Sequence, residues 1–129
     1  EVTKSFLFIK EMDNKKINLI KNELFIILGK DNSNFYKEKV SKILANLKFK
    51  RIYIKPHPAG NYKKEHYKSF INELKNYSKD IIFKEKISSF EEFILTNNHF
   101  PENCLLHHDC STNAILSSLV KKGLKINFF

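Results

Sequence analysis

The sequence predicts an α/β protein, a Rossmann-like three-layer sandwich with a mainly parallel sheet. One observation is the continuous apolar run Leu24 to Leu28, which is typical of a strand buried on both faces. Another is the regular alternation of such runs with segments of helical periodicity. The length of 129 residues fits one domain with a substantial core. We assign residues 21–129 to this domain and treat residues 1–20, which include the apolar run Phe6 to Ile9, as a linker or an edge segment.

The first half of the chain alternates strands and helices. Gly29 ends the first strand, and Ser33 or Asn34 can cap the helix that follows. The apolar positions of this helix recur at helical spacing: Tyr36, Val40, Ile43, Leu44 and Leu47. A strand at Arg51 to Lys55 comes next, then an amphipathic helix and a short strand at Ile81 to Phe83. The stripe of that helix comprises Tyr67, Phe70, Ile71, Leu74 and Tyr77. Parallel strands with right-handed crossovers put the loops that follow them at one edge of the sheet.

The second half continues the alternation in shorter pieces. Ser89 to Glu92 has the form of a capping box and begins a short helix. Pro101 interrupts the chain, and Leu105-Leu106 forms a brief strand. A last helix has Ile115, Leu116, Leu119 and Val120 inward and Gly123 as its C-terminal cap, before a strand at 124–129. The predicted core comprises Phe25, Ile27, Ile54, Leu74, Leu106, Leu116 and Leu119.

Composition narrows the classes of partner. The net charge of +9 comes almost entirely from lysine, because Arg51 is the only arginine. Nucleic-acid binders depend on the bidentate guanidinium and on interleaved aromatic residues, so we expect no nucleic-acid partner. The basic field suits an anionic sugar nucleotide or anionic lipid instead. With no run of about 18 apolar residues, we expect a cytoplasmic protein with peripheral contact to the inner membrane, and with Cys104 and Cys110 as free thiols.

The segment Lys55-Pro56-His57-Pro58 is the strongest candidate site in the sequence. It follows the second strand, so His57 lies at the carboxyl edge of the predicted sheet, where ligands bind in open α/β folds. The two prolines fix the backbone around the imidazole, which can donate a hydrogen bond or a proton to a phosphate oxygen. We assign His57 a catalytic role and place Lys55 and Pro58 in the substrate-binding site. The alternative is a rigid turn with an incidental histidine.

A second loop is predicted at the same edge. Ser111 and Thr112 precede the last helix, where free backbone N–H groups, the helix dipole and two hydroxyl groups favour an anion. Together with His57 they predict a phosphate site. The alternative for this pair is simple capping of the helix.

The ordered set of motifs resembles the donor-binding domain of bacterial GT-B sialyltransferases. The resemblance covers about residues 24–129 and rests on His57-Pro58, on the block from Ile87 to Thr96, on Phe100-Pro101-Glu102, and on Ser111-Thr112. It implies one half of a GT-B glycosyltransferase that uses CMP-sialic acid in capsule or lipooligosaccharide synthesis. The family's second domain, which binds the glycan acceptor and supplies the general base, does not fit within 129 residues.

The resemblance also implies roles for individual residues. His57 would bond the phosphate of CMP-sialic acid and assist the departure of CMP, Ser111 and Thr112 would bind the same phosphate, and Glu91 would hold the ribose hydroxyls. Glu91 has a structural alternative, because an acidic residue in the first turn of a helix is favoured by the dipole. The family uses no metal and no cofactor, and we expect none here.

Other interpretations stay open at the level of sequence. A GT-B transferase could use CMP-Kdo or a CDP-linked donor, and a non-catalytic α/β module could bind nucleotides or partner proteins. A metal site at His107-His108 is disfavoured, since adjacent strand residues point to opposite faces and no further ligands have suitable spacing.

Overall fold

The computed structural model describes residues 16–57, 63–84, 98–108, 110 and 114–129. It confirms the α/β class, with a five-stranded sheet flanked by helices in a Rossmann-like sandwich. In chain order, the elements are β1 (Asn18–Ile27), α1 (Ser33–Leu44), β2 (Arg51–Lys55), a 3₁₀ turn (Lys64–Tyr67), α2 (Lys68–Leu74), β3 (Ile81–Phe83), β4 (His99–Leu106), α3 (Ala114–Lys121) and β5 (Lys125–Phe128).

All neighbouring strands of the sheet are parallel. Their spatial order is β3-β2-β1-β4-β5, so β1 lies at the centre, paired with β2 on one side and β4 on the other. The chain builds outward from β1 to β3 and then returns to the other side of β1 with β4. The order of strands therefore reverses between β1 and β4, and that reversal opens the crevice where ligands bind in folds of this kind.

The core has two halves, one on each face of the sheet. Phe25 and Ile27 face α3 with Leu116 and Leu119, whereas the residues of β1 between and beside them face α1 and α2. This alternation follows from the period of two in a strand. It explains why the run at the end of β1 is apolar without a break, since both of its faces are buried.

The predicted core is confirmed at every position. Buried side chains occupy all seven places, namely Phe25, Ile27, Ile54, Leu74, Leu106, Leu116 and Leu119. Val120 was expected inward and is instead 47% exposed, because α3 presents Leu116 and Leu119 to the sheet and Val120 lies beyond that stripe. Gly123 caps α3 as predicted. Its φ is +113°, and Leu124 N–H donates to the Leu119 carbonyl across it, as in a Schellman motif.

Two element boundaries in the first half of the chain differ from the sequence prediction. β1 begins at Asn18, well before the apolar run. The N-cap of α1 is Asn32, whose side chain accepts a hydrogen bond from Phe35 N–H, and Ser33 instead accepts one from Phe70 N–H on α2. Ser33 therefore joins two helices rather than capping one.

Pro101 was expected to interrupt the chain, but it lies within the eight-residue strand β4. It is tolerated because β5 pairs with β4 only from Asn103 onward, and because the register of β1 against β4 shifts between Ile20 and Leu24, beside the proline. A proline can sit in a sheet where the ladder is already irregular or has a free side.

Arg51 organises the amino edge of the sheet. Its Nε lies 2.6 Å from Asp80 Oδ2, and its terminal nitrogen Nη1 donates to the Tyr53 hydroxyl and lies 3.9 Å from the buried Glu23 carboxylate. These hydrogen bonds raise the pKa of the guanidinium above its usual value. The chain's one arginine thus holds strands β1, β2 and the start of β3 together.

Several predicted features lie outside the described residues. They are the segment 1–15, the capping box at Ser89, and the candidate site residues Pro58, Glu91, Ser111 and Thr112. Among the helices of the described ranges, none is long and apolar enough to cross a membrane.

Replacing Phe25 tests the double-sided burial of β1. Its ring stacks on Tyr53 and Phe100 with centroids 5.9 and 5.0 Å away, so Phe25→Ala should lower the free energy of unfolding by about 3–5 kcal/mol. Phe128→Ala is the matched control, because Phe128 is 57% exposed on the edge strand β5. This substitution should lower the free energy of unfolding by less than about 1 kcal/mol. Urea unfolding of both variants measures the difference, and equal losses would contradict the central position of β1.

Candidate active site at the carboxyl edge

The carboxyl ends of three strands, β1, β2 and β4, lie close together at one edge of the sheet. Leu28, just after β1, donates its N–H to the carbonyl of Lys55 at the end of β2. The Leu28 carbonyl in turn lies 3.6 Å from the sulfur of Cys110, in the loop after β4. The end of β2 and Cys110 therefore both contact Leu28 and lie at one edge of the sheet, whereas Ser111 and Thr112 lie outside the described residues.

The loop after β1 is held by a buried tyrosine. The Tyr36 hydroxyl donates to the Gly29 carbonyl at 2.8 Å and accepts from Asp31 N–H at 2.9 Å. Burial raises the pKa of Tyr36 well above its usual value, so the hydroxyl keeps its proton for this bond. One side chain from α1 thus fixes three consecutive residues, Gly29 to Asp31, and sets the direction of the Asp31 carboxylate.

Asp31 is directed at a histidine on the neighbouring strand end. The carboxylate oxygen Oδ2 accepts a hydrogen bond from Nε2 of His107 at 2.6 Å, which fixes a proton on that nitrogen. His107 is fully buried, whereas Asp31 is partly exposed. The pair spans the crevice between β1 and β4 and links the loops on either side of it.

Aromatic rings surround His107. The rings of Phe35, Tyr36 and Phe129 lie 5.4–5.9 Å from its centroid, and that of His108 stacks on it at 4.4 Å. Gly29 approaches the imidazole so closely that a methyl group there would stand 2.7 Å from its Cγ. This enclosure defines His107 as a packing and positioning residue of the crevice.

The two adjacent histidines do not point to opposite faces as expected. They follow the end of β4 rather than lying within it, so the strand alternation no longer applies, and their rings stack. His108 instead lies against the carbonyl of Phe129, 3.1 Å from its Nδ1. No group of three potential metal ligands occurs among the residues that the structure describes.

Lys55 is buried at the same edge, on the opposite face of the sheet. Its position in β2 alternates with Ile54, so it faces α3, in line with Tyr53. Only 6% of its surface is exposed. Burial lowers the pKa of its ammonium group, and the negative charge that Cys110 can carry opposes this shift. An ammonium group in this position can donate hydrogen bonds to a ligand at this edge and attract a negatively charged group.

His57 lies two residues beyond β2, half-buried at the carboxyl edge as predicted. The structure thereby brings His57 and Lys55 to the same edge as Cys110, the residue before Ser111. Pro58, Glu91, Ser111 and Thr112 keep their predicted roles as predictions, since they lie outside the described residues.

The sequence prediction missed Asp31 and the burial of His107. A weak signal existed, because Asp31 follows the glycine that ends the first strand, a position from which carboxylates often face a ligand or a neighbouring loop. Nothing in the sequence pairs Asp31 with a histidine 76 residues away. Only the parallel pairing of β1 and β4 brings them together.

The protein has another concave surface, beside α2. A groove of about 1390 Å³ runs along the 3₁₀ turn, α2 and the start of β3. Five lysines line it with a single acidic residue, Glu65; they are Lys63, Lys64, Lys68, Lys75 and Lys79. The groove is therefore strongly cationic.

Fold and site together define a class: a Rossmann-like domain with a histidine and a buried lysine at the carboxyl edge of its parallel sheet. Comparison with protein-family models, with curated proteins and with solved structures gave no match to this chain. The function must therefore be argued from the site.

The contact between Gly29 and His107 yields a test of the crevice. Gly29→Ala should lower the free energy of unfolding by roughly 1–3 kcal/mol, because the added methyl group would displace the imidazole. In a His107→Ala background the same change should be neutral or slightly stabilising, since alanine restricts the unfolded chain. Chemical denaturation of the four proteins measures the coupling. Additive effects of the two substitutions would contradict the contact.

Proposed function

We propose that this chain is the donor-nucleotide domain of a glycosyltransferase, resembling bacterial sialyltransferases, and that it binds CMP-sialic acid at the carboxyl edge of its sheet. The observation that carries the proposal is the convergence of two loops on Leu28. The end of β2 brings Lys55 and His57, and the loop after β4 brings Cys110 just ahead of Ser111. The motifs that predict a phosphate site therefore follow β2 and β4, whose carboxyl ends lie on either side of Leu28.

The chemistry expected of the reaction supports the choice of site. When CMP leaves the anomeric carbon, negative charge grows on its phosphate while the sugar becomes cationic. Hydrogen-bond donors fixed beside that phosphate stabilise the charge as it develops. His57 would supply such a donor and a proton, Ser111 and Thr112 would add donors, and Glu91 would hold the ribose. The tight packing around the Leu28 backbone is the kind of rigid support that such preorganised donors need.

Transfer also requires a glycan acceptor and a general base. In the proposed enzyme both belong to a partner domain that faces this edge, as in the family that the sequence resembles. The proposal implies a cytoplasmic location at the inner membrane face, with capsule or lipooligosaccharide as the product. The reaction needs no metal and no cofactor.

Nucleotide binding tests the proposal directly. CMP and CDP should raise the melting temperature of the 129-residue chain by roughly 5 °C at a concentration about ten times Kd, through mass action. His57→Ala should weaken CMP binding, because a donor to the phosphate is lost. His99→Ala is the matched control, since His99 is exposed at the start of β4, on the opposite, amino edge of the sheet. Thermal shift and calorimetry provide the measurements.

The outcomes separate the alternatives. A preference for UDP or GDP would reject a cytidine donor. Stabilisation by CMP and CDP without any effect of CMP-sialic acid would favour a CMP-Kdo or CDP-linked donor. The absence of any nucleotide effect would favour a non-catalytic interaction module.

The cationic groove supports the peripheral membrane contact. Each lysine near an anionic bilayer contributes about 1 kcal/mol to the free energy of membrane binding. The double variant Lys68→Glu/Lys75→Glu should therefore weaken binding to vesicles that contain phosphatidylglycerol by tenfold or more. Lys37→Glu/Lys42→Glu changes the net charge equally on α1 and serves as the control. Vesicle co-sedimentation measures both variants. An equal loss in the control would show a general effect of charge and would reject the groove as the contact surface.

A further inference from the structure

The row of side chains that faces α3 from β2 ends in a charge. Tyr53 and Lys55 lie on this face, and both are buried, with 6% of each exposed. A buried position at the end of a core-facing row ordinarily holds an apolar residue. A lysine there places an ammonium group against the core of the protein, an arrangement that costs free energy unless an anion compensates it.

No compensating carboxylate accompanies Lys55 within the described ranges. Lys42 and Lys125 form ion pairs on the surface, whereas the thiol of Cys110 is the side chain that acts on Lys55. His107 offers an instructive contrast on the other face of the same edge. It is equally buried, yet it has the Asp31 carboxylate at 2.6 Å. Within the described ranges, a carboxylate therefore accompanies one buried base of this edge and not the other.

Lys55 lies at the end of its strand, at the edge of the sheet where ligands bind in folds of this kind. It is the last residue of β2, its carbonyl is bonded to Leu28, and the half-buried Cys110 lies beside the same residue. The ammonium group therefore lies at the rim of the core rather than at its centre. A phosphate group suits this position because it carries charge and several acceptor oxygens for the three donors of an ammonium group.

We infer that Lys55 is the buried counter-ion for a phosphate group, which binds at the carboxyl edge between the end of β2 and Cys110. This inference rests on the proposed function only for the identity of the phosphate, which there belongs to the cytidine nucleotide. In that case His57, from the loop after β2, and Lys55, from the end of β2, would both contact one phosphate group. Lys55 would then contribute binding and charge neutralisation in both the ground state and the transition state.

The test compares ligands that differ by a phosphate. For the unmodified chain, CMP should bind roughly 10- to 100-fold more tightly than cytidine, the range expected for a charge-assisted contact. Lys55→Met, which keeps the length of the side chain and removes its charge, should abolish most of that difference and leave cytidine binding unchanged. Lys30→Met is the matched control, because Lys30 is exposed in the loop after β1 at the same edge, and it should retain the preference for CMP. Isothermal titration calorimetry measures the six affinities, those of CMP and of cytidine for each of the three proteins.

Two further measurements locate the anion and separate the inference from the proposed function. Without ligand, Lys55→Met should have a higher unfolding midpoint than the unmodified chain, whereas loss of a purely structural lysine would lower it. Inorganic pyrophosphate or CMP should slow alkylation of Cys110 by N-ethylmaleimide, and Lys55→Met should remove this protection. Cys104 is buried in the core and provides the internal reference for unfolding.

The possible results lead to different conclusions. Pyrophosphate binding that depends on Lys55, without any binding of cytidine nucleotides, would support the phosphate site and overturn the proposed donor. CMP binding that survives intact in Lys55→Met would support the proposed function and overturn the role of Lys55. Failure of both CMP and pyrophosphate to bind would overturn the proposed function and the role of Lys55 together. Anion binding that leaves the rate of Cys110 alkylation unchanged would overturn the proposed location of the phosphate.

Discussion

Burial of the last five residues of β1, Glu23 to Ile27, on both faces is the constraint on which the rest of the structure depends. A strand with no exposed face must have a sheet neighbour on each side and a layer of structure above and below it. In this protein the neighbours are β2 and β4, both parallel to β1, and the layers are α1 with α2 on one face and α3 on the other. Parallel pairing makes the three strands end at the same edge. The meeting of Leu28, Lys55 and Cys110 is a direct consequence.

Each face of the sheet has a buried basic side chain at that edge, His107 on one face and Lys55 on the other, and their surroundings differ. On the face toward α1, His107 is enclosed by aromatic rings and bonded to Asp31, and the approach of Gly29 leaves no space beside it. On the face toward α3, Lys55 is buried beside a thiol. The first arrangement is complete within the described protein and fixes the shape of the crevice. The second retains a charge that favours an anionic ligand, which is why we assign binding to this face.

The opposite edge of the sheet serves stability. There Arg51 is bonded to Asp80 and Tyr53 and lies near the Glu23 carboxylate, so its donors are used within the fold. The use of the one arginine at the amino edge agrees with the rule that ligands bind at the carboxyl ends of parallel strands.

The sequence by itself determined the class of fold, the core and the place of His57. Apolar runs such as Leu24 to Leu28 and the periodic stripes of the helices record burial locally, because a strand or helix shows its buried faces in its own spacing. The extent of β4 across Pro101, the pairing of Asp31 with His107 and the burial of Lys55 were decided only by tertiary structure. Each of these depends on which strand lies beside which, and contacts between residues far apart in the chain leave no periodic trace in the sequence around them.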